Sequence, residues 1–370
     1  MPESSETLDP TIPEPTNPIA RLWFRAVTLA RTARMFWKFT VDKPKTTRPQ
    51  GKIPVDPLTR AALESAPDRT LWRLAHSTVL LKLQGAFFLT DPVYAHRASP
   101  IFFAGPKRFH QPPISIHDLP PIKAILLSHD HYDHLDKRAM QKLARKTDWI
   151  IAPQGVGSHL RRWGIKPEKI RELDWHQQTP IATRSGSVTL TCTPTQHFSG
   201  RSLWNRNQTL FCSWVIEDQR FRIFFGADSG YFPGFRLTGQ QYGPFAVTLL
   251  ENGAYNDRWS QIHMRPEETI RAHQDLNPGP DPSQNPSQPT PWLIPIHNGT
   301  FDLAFHPWTE PMERIQTLAQ THGIRVSTPR FGEPIHLEAI HPATPWWRTV
   351  DQPIPDSHPA TLHTETSPSR

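Results

Sequence analysis

The stretch that decides the fold reads Ser128-His129-Asp130-His131-Tyr132-Asp133-His134-Leu135-Asp136. The apolar run before it, residues 122–127, predicts a buried strand with the polar stretch on the loop that follows. Loops at the end of a rigid strand often carry binding side chains. A single histidine is usually an ordinary core or surface residue, but four ligand-type residues in the spacing H-x-H-x-D-H are typical of a metal site. The stretch therefore predicts a metal-binding loop.

Three later strand-like segments each end in another metal-ligand residue type. The segments and the residues to which they lead are Val188 to Cys192 with His197, Phe221 to Phe225 with Asp228, and Trp292 to Ile296 with His297. Imidazole and carboxylate are donors that zinc and other borderline cations accept. The four strand ends together offer enough ligands for two ions.

The ligand types fall into two sets with one residue between them. The sets are His129, His131 and His197, then Asp133, His134 and His297, with Asp228 placed to bridge them. Two cations about 3.5–4 Å apart lower the pKa of a shared water and stabilise both the attacking and the leaving oxygen of a displacement at phosphorus. Cysteine is absent from the candidates, which argues against a closed structural zinc site. We predict two divalent metal ions in a catalytic site, zinc first, with iron or manganese as alternatives.

The order of these motifs resembles the metallo-β-lactamase superfamily. Within it, the chain is most similar to the branch that contains the N-acylphosphatidylethanolamine-hydrolysing phospholipase D and its bacterial relatives. The resemblance runs from about residue 75 to about residue 335 and includes Leu89-Thr90-Asp91-Pro92, Thr193-Pro194-Thr195-Gln196-His197, Gly226-Ala227-Asp228-Ser229-Gly230-Tyr231 and Ile296-His297-Asn298-Gly299-Thr300-Phe301. It implies an α/β (α+β) fold, the four-layered αββα sandwich, with the metals at one edge.

The resemblance also implies roles for individual residues. One metal would be held by His129, His131, His197 and Asp228, and the second by Asp133, His134, Asp228 and His297. Asp133, Asp228 and His263 are the implied catalytic residues, although His263 also stands where a residue entering a helix at Pro266 would stand. One departure concerns Glu251 and Asn252, which occupy a position that is apolar in the phospholipase. We expect these two residues to reshape the substrate pocket.

The leading hypothesis for function is a dinuclear metal-dependent hydrolase, a phosphodiesterase acting on an N-acylphosphatidylethanolamine-type phospholipid. A hydroxide bridging the metals would attack phosphorus in line. Candidates for contacts with the substrate phosphate are Lys107, Arg108 and Arg201, with an ordinary surface role as the alternative for each. Two rival hypotheses remain: a lactonase, esterase or small-molecule phosphodiesterase of the same fold, and a non-catalytic scaffold tethered to a membrane.

The length of 370 residues fits one large domain with tails better than two full domains. We predict the hydrolase domain over residues 51–341, with a disordered N-terminus over 1–50 and a disordered tail over 342–370, because the ends are rich in Pro, Ser and Thr. Residues 278–286 predict an extended surface insertion. Cys192 and Cys212 are predicted to be buried thiols, with a disulfide as the alternative.

The formal net charge of +7 suits an anionic partner. A phospholipid or another anionic small molecule fits better than nucleic acid, because no dense basic run is interleaved with stacking aromatics. Residues 19–39 predict a basic amphipathic helix that either contacts a membrane peripherally, packs on the domain, or joins a second subunit in a homodimer. Its longest uncharged run, five residues from Ala26 to Ala30, is too short for a signal or a spanning helix. The expected location is the cytoplasm, including the inner membrane face.

Overall fold

Two seven-stranded sheets form the centre of the protein. A computed structural model describes residues 16–24, 26–27, 43–202, 204–219, 221–279 and 290–352. The strands are β1 (Thr70–Arg73), β2 (Val79–Leu83), β3 (Ala86–Thr90), β4 (Ile122–Leu126), β5 (Thr147–Pro153), β6 (Ile170–Leu173), β7 (Gln178–Ala182), β8 (Ser187–Thr193), β9 (Ser213–Asp218), β10 (Phe221–Phe225), β11 (Val247–Glu251), β12 (Trp292–Ile296), β13 (Arg325–Val326) and β14 (Pro334–His336). The α-helices packed on the sheets are α1 (Arg60–Ser65), α2 (Lys137–Leu143), α3 (Gly157–Arg162), α4 (Gly234–Tyr242), α5 (Pro266–Leu276) and α6 (Glu310–His322).

Each sheet has an antiparallel half and a parallel half. The first sheet has the strand order β14-β1-β2-β3-β4-β5-β6 and is parallel from β3 to β6. The second has the order β13-β12-β11-β10-β9-β8-β7 and is parallel from β10 to β13. Because the carboxyl ends of parallel neighbours meet at one edge, the residues that follow β10 and β12 lie near each other.

Apolar side chains from the facing sides of the two sheets form the central core. Leu126 and Ile151 come from the first sheet, while Trp214, Phe225 and Leu249 come from the second, and all five are fully buried. A Leu, Ile or Phe side chain buried in this way contributes about 1.5–3 kcal/mol to stability. Both cysteines belong to this core and carry free thiols.

The outer face of each sheet is covered by helices. Leu63 of α1, Met140 of α2 and Leu160 of α3 pack against the first sheet. The helices α4, α5 and α6 cover the second sheet with equivalent apolar faces. The order helix, sheet, sheet, helix confirms the predicted αββα sandwich.

Most elements near the candidate site have the bounds that the sequence predicts. Asp136 is the N-cap of α2, since its Oδ1 accepts the N–H of Arg138 at 2.9 Å and of Ala139 at 3.2 Å. The β-type composition of residues 210–216 also predicts a strand there, but the strand β9 begins only at Ser213. The preceding residues leave the sheet because their amides bond to other loops, as Cys212 N does to Ser128 O at 3.0 Å.

The packed region begins earlier than the predicted boundary at residue 51. Arg48 donates to Asp302 at 2.6 Å, and the Trp308 amide donates to Thr46 O at 2.9 Å. The assignment of residues 43–50 to a disordered N-terminus is therefore wrong. Their anchors are polar and involve distant residues, so apolar periodicity does not detect them.

The packed region also continues past residue 341. A 3₁₀ helix spans Trp346–Thr349, and both of its tryptophans are buried. The indole of Trp346 donates to Thr328 O at 3.1 Å, and that of Trp347 donates to Glu313 at 2.7 Å. The predicted tail boundary is therefore too early. The sequence does not reveal this segment because two isolated tryptophans, without a periodic apolar pattern, provide its buried surface.

Other predictions fall partly on residues that are not described. The N-terminal segment is helical at 18–24 and 26–27, with Ile19, Leu22 and Trp23 exposed. The rest of the predicted amphipathic helix, the remainder of the tail from residue 353, and residues 280–289 of the predicted insertion lie outside the described residues. Within the described residues, no helix combines the length and the apolar character needed to cross a bilayer.

Candidate metal centre

Four strand ends place seven imidazole and carboxylate side chains at one edge of the sandwich. They are His129, His131, Asp133 and His134 after β4, His197 after β8, Asp228 after β10 and His297 after β12. Two of these strand ends turn through a left-handed backbone conformation, with φ of 50° at Ala227 and 60° at His297. Non-glycine residues seldom adopt this conformation, and its occurrence at functional sites is common.

The first set closes around a single point. His131 Nδ1 lies 2.9 Å from His129 Nε2 and 3.2 Å from His197 Nε2. Asp228 Oδ2 completes the set at 3.8 Å from His129 Nε2 and 3.6 Å from His197 Nε2. Three imidazoles and one carboxylate are a donor set that suits a tetrahedral divalent ion.

The second set shares the same aspartate. Asp228 Oδ1 lies 3.1 Å from His134 Nε2, and Asp228 Oδ2 lies 3.1 Å from His297 Nε2. Asp133 Oδ2 is 3.5 Å from His297 Nε2 and 3.7 Å from His134 Nε2. The structure thus brings together all seven residues that the sequence singles out, with Asp228 between the two sets.

Buried atoms in this cluster test whether the residues suit metal ions. His134 Nε2, His297 Nε2 and Asp228 Oδ1 are buried and have no hydrogen-bond partner within the described residues, although they lie close together. Leaving a buried polar group unpaired costs about 1–3 kcal/mol. A divalent cation satisfies two imidazoles and a carboxylate at once. The donor set therefore fits divalent metal ions.

The charges of the cluster also suit a cation. Burial lowers the pKa of His131 to about 4, which keeps that imidazole neutral. Burial opposes protonation of His297 as well, but the carboxylates of Asp228 and Asp133 outweigh it and raise the pKa to about 9. The cluster thus attracts positive charge at His297, and a bound metal ion would have to displace that proton.

Hydrogen bonds from outside the cluster orient several of its imidazoles. Asp91, fully buried, accepts from His134 Nδ1 at 2.8 Å and from the Ser128 amide at 2.8 Å. His197 Nδ1 lies 3.0 Å from Ile262 O. Partners of this kind fix the ring orientation and the tautomer of metal-binding histidines.

His263 lies beside the cluster, as the resemblance implied. Its Nδ1 is 2.6 Å from Glu251 Oε2, and its ring centroid is 5.2 Å from those of His197 and His297. Its ring also comes close to Asp228, with one atom from each of Asp228, His263 and His297 mutually within 4.8 Å. His263 therefore precedes α5 and also forms part of the surroundings of the ligand cluster.

Glu251 and Asn252 are not substrate-pocket residues, which corrects the prediction. Both are fully buried. Glu251 Oε1 accepts the amides of Ser229 and Met264 at 2.9 and 3.1 Å, while Asn252 Nδ2 donates to Pro311 O at 2.8 Å. Burial raises the pKa of Glu251, and the neighbouring His263 opposes that rise. The sequence shows two polar residues at a strand end but not the helices that cover them.

Of the three cations proposed to contact phosphate, two have backbone carbonyls as their hydrogen-bond partners. Lys107 is exposed, and Arg108 is buried with its guanidinium donating to Ala95 O and Val93 O at 3.0 and 2.6 Å. Arg201 Nη1 donates to two carbonyls of the metal-binding loop, Asp130 O at 2.6 Å and Leu135 O at 2.9 Å. Arg108 and Arg201 stabilise the backbone instead of binding substrate, because their guanidinium groups donate hydrogen bonds to nearby carbonyl oxygens.

His76 is a cluster neighbour that the sequence did not reveal. It is 1% exposed and its Nε2 lies 3.2 Å from Asp133 Oδ2. It stands in the turn between β1 and β2, where a lone histidine carries no ligand spacing. Asp91 belongs to a stretch that carries the family resemblance, and its position directly after β3 is the sequence signal for its role.

Comparisons with known proteins agree with this geometry. A family model described as beta-lactamase superfamily domain matches residues 87–281. An uncharacterized protein of Mycobacterium tuberculosis is 42% identical over 275 residues, which cover 74% of this chain and 70% of that protein. N-acyl-phosphatidylethanolamine-hydrolyzing phospholipase D 1 of Caenorhabditis elegans is 33% identical over 276 residues, covering 72% of this chain and 74% of that protein.

Solved structures share the fold. The isothiocyanate hydrolase from Delia radicum gut bacteria matches with a TM-score of 0.54 and 22% identity, over 72% of this chain and 98% of that chain. At this identity the likeness concerns the fold alone.

Proposed function

The chain belongs to the metallo-β-lactamase superfamily as a metal-dependent hydrolase, and we propose that it cleaves the phosphodiester of an N-acylphosphatidylethanolamine-type phospholipid at a two-metal centre. The observation that carries the proposal is the position of Asp228, whose two oxygens lie 3.1 Å from His134 Nε2 and His297 Nε2 respectively while Oδ2 also completes the first set. A pair of divalent cations, zinc first, would supply Lewis acidity that activates water and neutralises charge on a phosphodiester in its transition state.

The remaining residues of the centre orient that chemistry. Asp133, Asp228 and the five histidines would hold the cations, and Asp91 keeps His134 in the tautomer with its Nε2 lone pair directed inward. Glu251 accepts the Nδ1 proton of His263, so the Nε2 of His263 is the atom available to substrate. We assign to that nitrogen a hydrogen bond or proton transfer to a substrate oxygen, a role that suits imidazole near neutral pH.

A cavity beside the metal-binding loop supports a lipid substrate. Its volume is about 760 Å³, and its wall includes Tyr132 and Leu135 of the loop together with Trp163. We call it the basic cavity because its wall also carries Arg97, Lys137, Arg138, Lys142 and Arg201. Lys137, Arg138 and Lys142 form no ion pair within the described residues, so their charge is available to an anionic head group or bilayer surface.

An exposed aromatic pair adjoins the basic cavity, since Phe102 forms part of its wall. Phe102 is 88% exposed and Phe103 is 69% exposed, with their ring centroids 5.1 Å apart. Exposed aromatic rings next to unpaired cations suit the interface of an anionic bilayer, where the rings enter the acyl boundary and the cations remain at the head groups. We therefore propose peripheral membrane contact through this loop, with residues 19–39 as a second contact.

The rival carboxylic-ester hypothesis has lost its specific support. It rested on Glu251 and Asn252 lining a small polar pocket, and both are buried in contacts with the protein itself. The similarity to the Caenorhabditis elegans phospholipase favours the phosphodiester.

The test is hydrolysis of N-acylphosphatidylethanolamine in vesicles by zinc-loaded protein, with products identified by mass spectrometry. We expect phosphatidic acid and the N-acylethanolamine, both abolished by a chelator and by Asp228→Asn. Asp218→Asn is the matched control, since Asp218 is equally buried but pairs with Arg69 away from the centre. Cleavage of only a soluble aryl phosphodiester, or only of lactones in a parallel panel, would overturn the lipid substrate.

A further inference from the structure

We propose that His76 is a positioning residue for the second metal set. It holds Asp133 in place through a donated hydrogen bond and His297 through a ring contact, and it does not bind the metal itself. The inference rests on the proposed two-metal function. It assigns a role to a residue that lies between the two halves of the sandwich, in the turn from β1 to β2.

The ring of His76 is held next to a carboxylate. His76 Nε2 lies 3.2 Å from Asp133 Oδ2, and an ionised carboxylate only accepts hydrogen bonds. The proton of His76 therefore belongs on Nε2, and a protonated nitrogen has no lone pair for a metal.

Ligand number supports the same assignment. Asp133, His134, His297 and Asp228 already provide four donors for the second ion, the usual number for zinc. His76 Nδ1, the nitrogen that would carry the lone pair, is buried without a partner within the described residues. The ligand atoms of His76, Asp133, His134 and His297 lie within 4.8 Å of one another, but closeness alone does not make His76 a ligand.

The backbone of His76 ties the other half of the sandwich to this point. The His297 amide donates to His76 O at 3.1 Å, and the His76 amide donates to Thr300 Oγ1 at 2.8 Å. The rings of His76 and His297 have centroids 3.8 Å apart. His76 thus supports two residues: Asp133, which lies on a loop of the first sheet, and His297, which follows β12 and has a left-handed backbone conformation.

Two substitutions separate a donor from a packing residue and from a ligand. His76→Phe keeps a ring against His297 but removes the donor, whereas His76→Gln keeps an N–H that can reach Asp133. We expect His76→Phe to weaken binding of the second zinc about 10–100-fold, the usual cost of losing an outer partner of a metal ligand, and His76→Gln to stay close to wild type. Zinc titration of metal-free protein against a competing chelator measures both affinities.

The affinity for the first zinc reports whether each variant folds, since it should not change. His273→Phe is the matched control, because His273 is a buried histidine bonded to Thr248 Oγ1 at 2.7 Å and belongs to none of the metal-ligand groups. An unchanged second affinity in His76→Phe would overturn the inference in favour of packing alone. Equal losses in the Phe and Gln variants would overturn it in favour of a direct ligand.

A measurement on the wild type does not depend on any variant. In zinc-loaded protein with ¹⁵N-labelled histidine, His76 should carry its proton on Nε2. A metal-bound Nε2 would contradict the positioning role while leaving the two-metal function intact. A wild type that binds only one zinc would instead contradict the proposed function.

Discussion

Glu251 acts on the centre from a fully buried position, through the 2.6 Å hydrogen bond to His263. Glu251→Gln keeps the shape but replaces a charged acceptor with a neutral one, and the amide can turn its N–H₂ toward Nδ1. We expect kcat to fall about 10–100-fold with both metals retained, because His263 loses its orientation. Steady-state kinetics with metal analysis measures this.

The control for that change is Glu217→Gln, which alters a half-exposed carboxylate paired with Arg222. Its kcat should equal that of the wild type. Loss of a metal from Glu251→Gln, or an unchanged kcat, would contradict the assigned role.

Arg201 offers a second residue-scale prediction. Its guanidinium lies 3.9 Å from the Tyr132 ring centroid and bonds to two carbonyls of the metal-binding loop. Arg201→Ala should lower the affinity for zinc and the melting temperature, because the loop loses two charge-assisted hydrogen bonds of about 1.5–3 kcal/mol each. KM for substrate, measured at saturating zinc, should hardly change. A raised KM with normal zinc affinity would show that Arg201 binds the substrate phosphate. Arg138→Ala is the comparison variant, because Arg138 lines the same cavity.

At the residue scale, the candidate metal ligands could be predicted from sequence, but the residues that position them could not. His129, His131, Asp133 and His134 are adjacent in the chain, so their spacing alone indicates the chemistry. His76 and Glu251 act through contacts across the fold, from a turn and from a covered strand end. No local pattern distinguishes such residues from ordinary core polar groups.

At the scale of elements, the loop that carries Phe102 and Phe103 is the one most open to test. Replacing both with Ser should weaken binding to anionic vesicles by about 10-fold or more, since a fully buried Phe contributes about 1.5–3 kcal/mol. Vesicle sedimentation measures the binding. Leu237→Ser, which changes a side chain 65% exposed on α4 in the other helix layer, should leave binding unaltered. Equal binding by the wild type and the double variant would remove this loop from the membrane contact.

Element bounds followed from sequence where apolar runs end sharply. The strands β10 and β12 have the predicted limits and α5 begins at the predicted Pro266, because a ligand residue, Gly or Pro stands at these boundaries. The start of β9 was misplaced because residues 210–212 are apolar yet bond to loops across the domain. Which partner an amide finds depends on tertiary contacts.

At the scale of the whole molecule, the segment after residue 341 closes the domain. Trp346 is 5% exposed and packs with Trp308 and Phe331. Trp346→Ala should lower the free energy of unfolding by about 3–5 kcal/mol, the usual cost of truncating a buried tryptophan. Urea denaturation measures this, with Trp23→Ala, at 74% exposure, as a control expected within about 0.5 kcal/mol of wild type. If Trp346→Ala lowered the free energy of unfolding by less than about 0.5 kcal/mol, the segment would not be part of the folded unit.

The overall architecture was predictable because the order of ligand motifs resembles one superfamily. The limits of the folded unit were not, since polar anchors at Asp302 and isolated tryptophans hold the ends. Their partners are distant in sequence, and composition alone suggested disorder.

The most direct test of the two-metal account is the zinc content per chain of the wild type and of Asp228→Ala, measured by elemental mass spectrometry after removal of loosely bound metal. Because both carboxylate oxygens of Asp228 face ligand sets, we expect two zinc ions in the wild type and at most one in the variant. A wild type without bound zinc, or a variant that still holds two ions, would contradict the bridging centre on which the account depends.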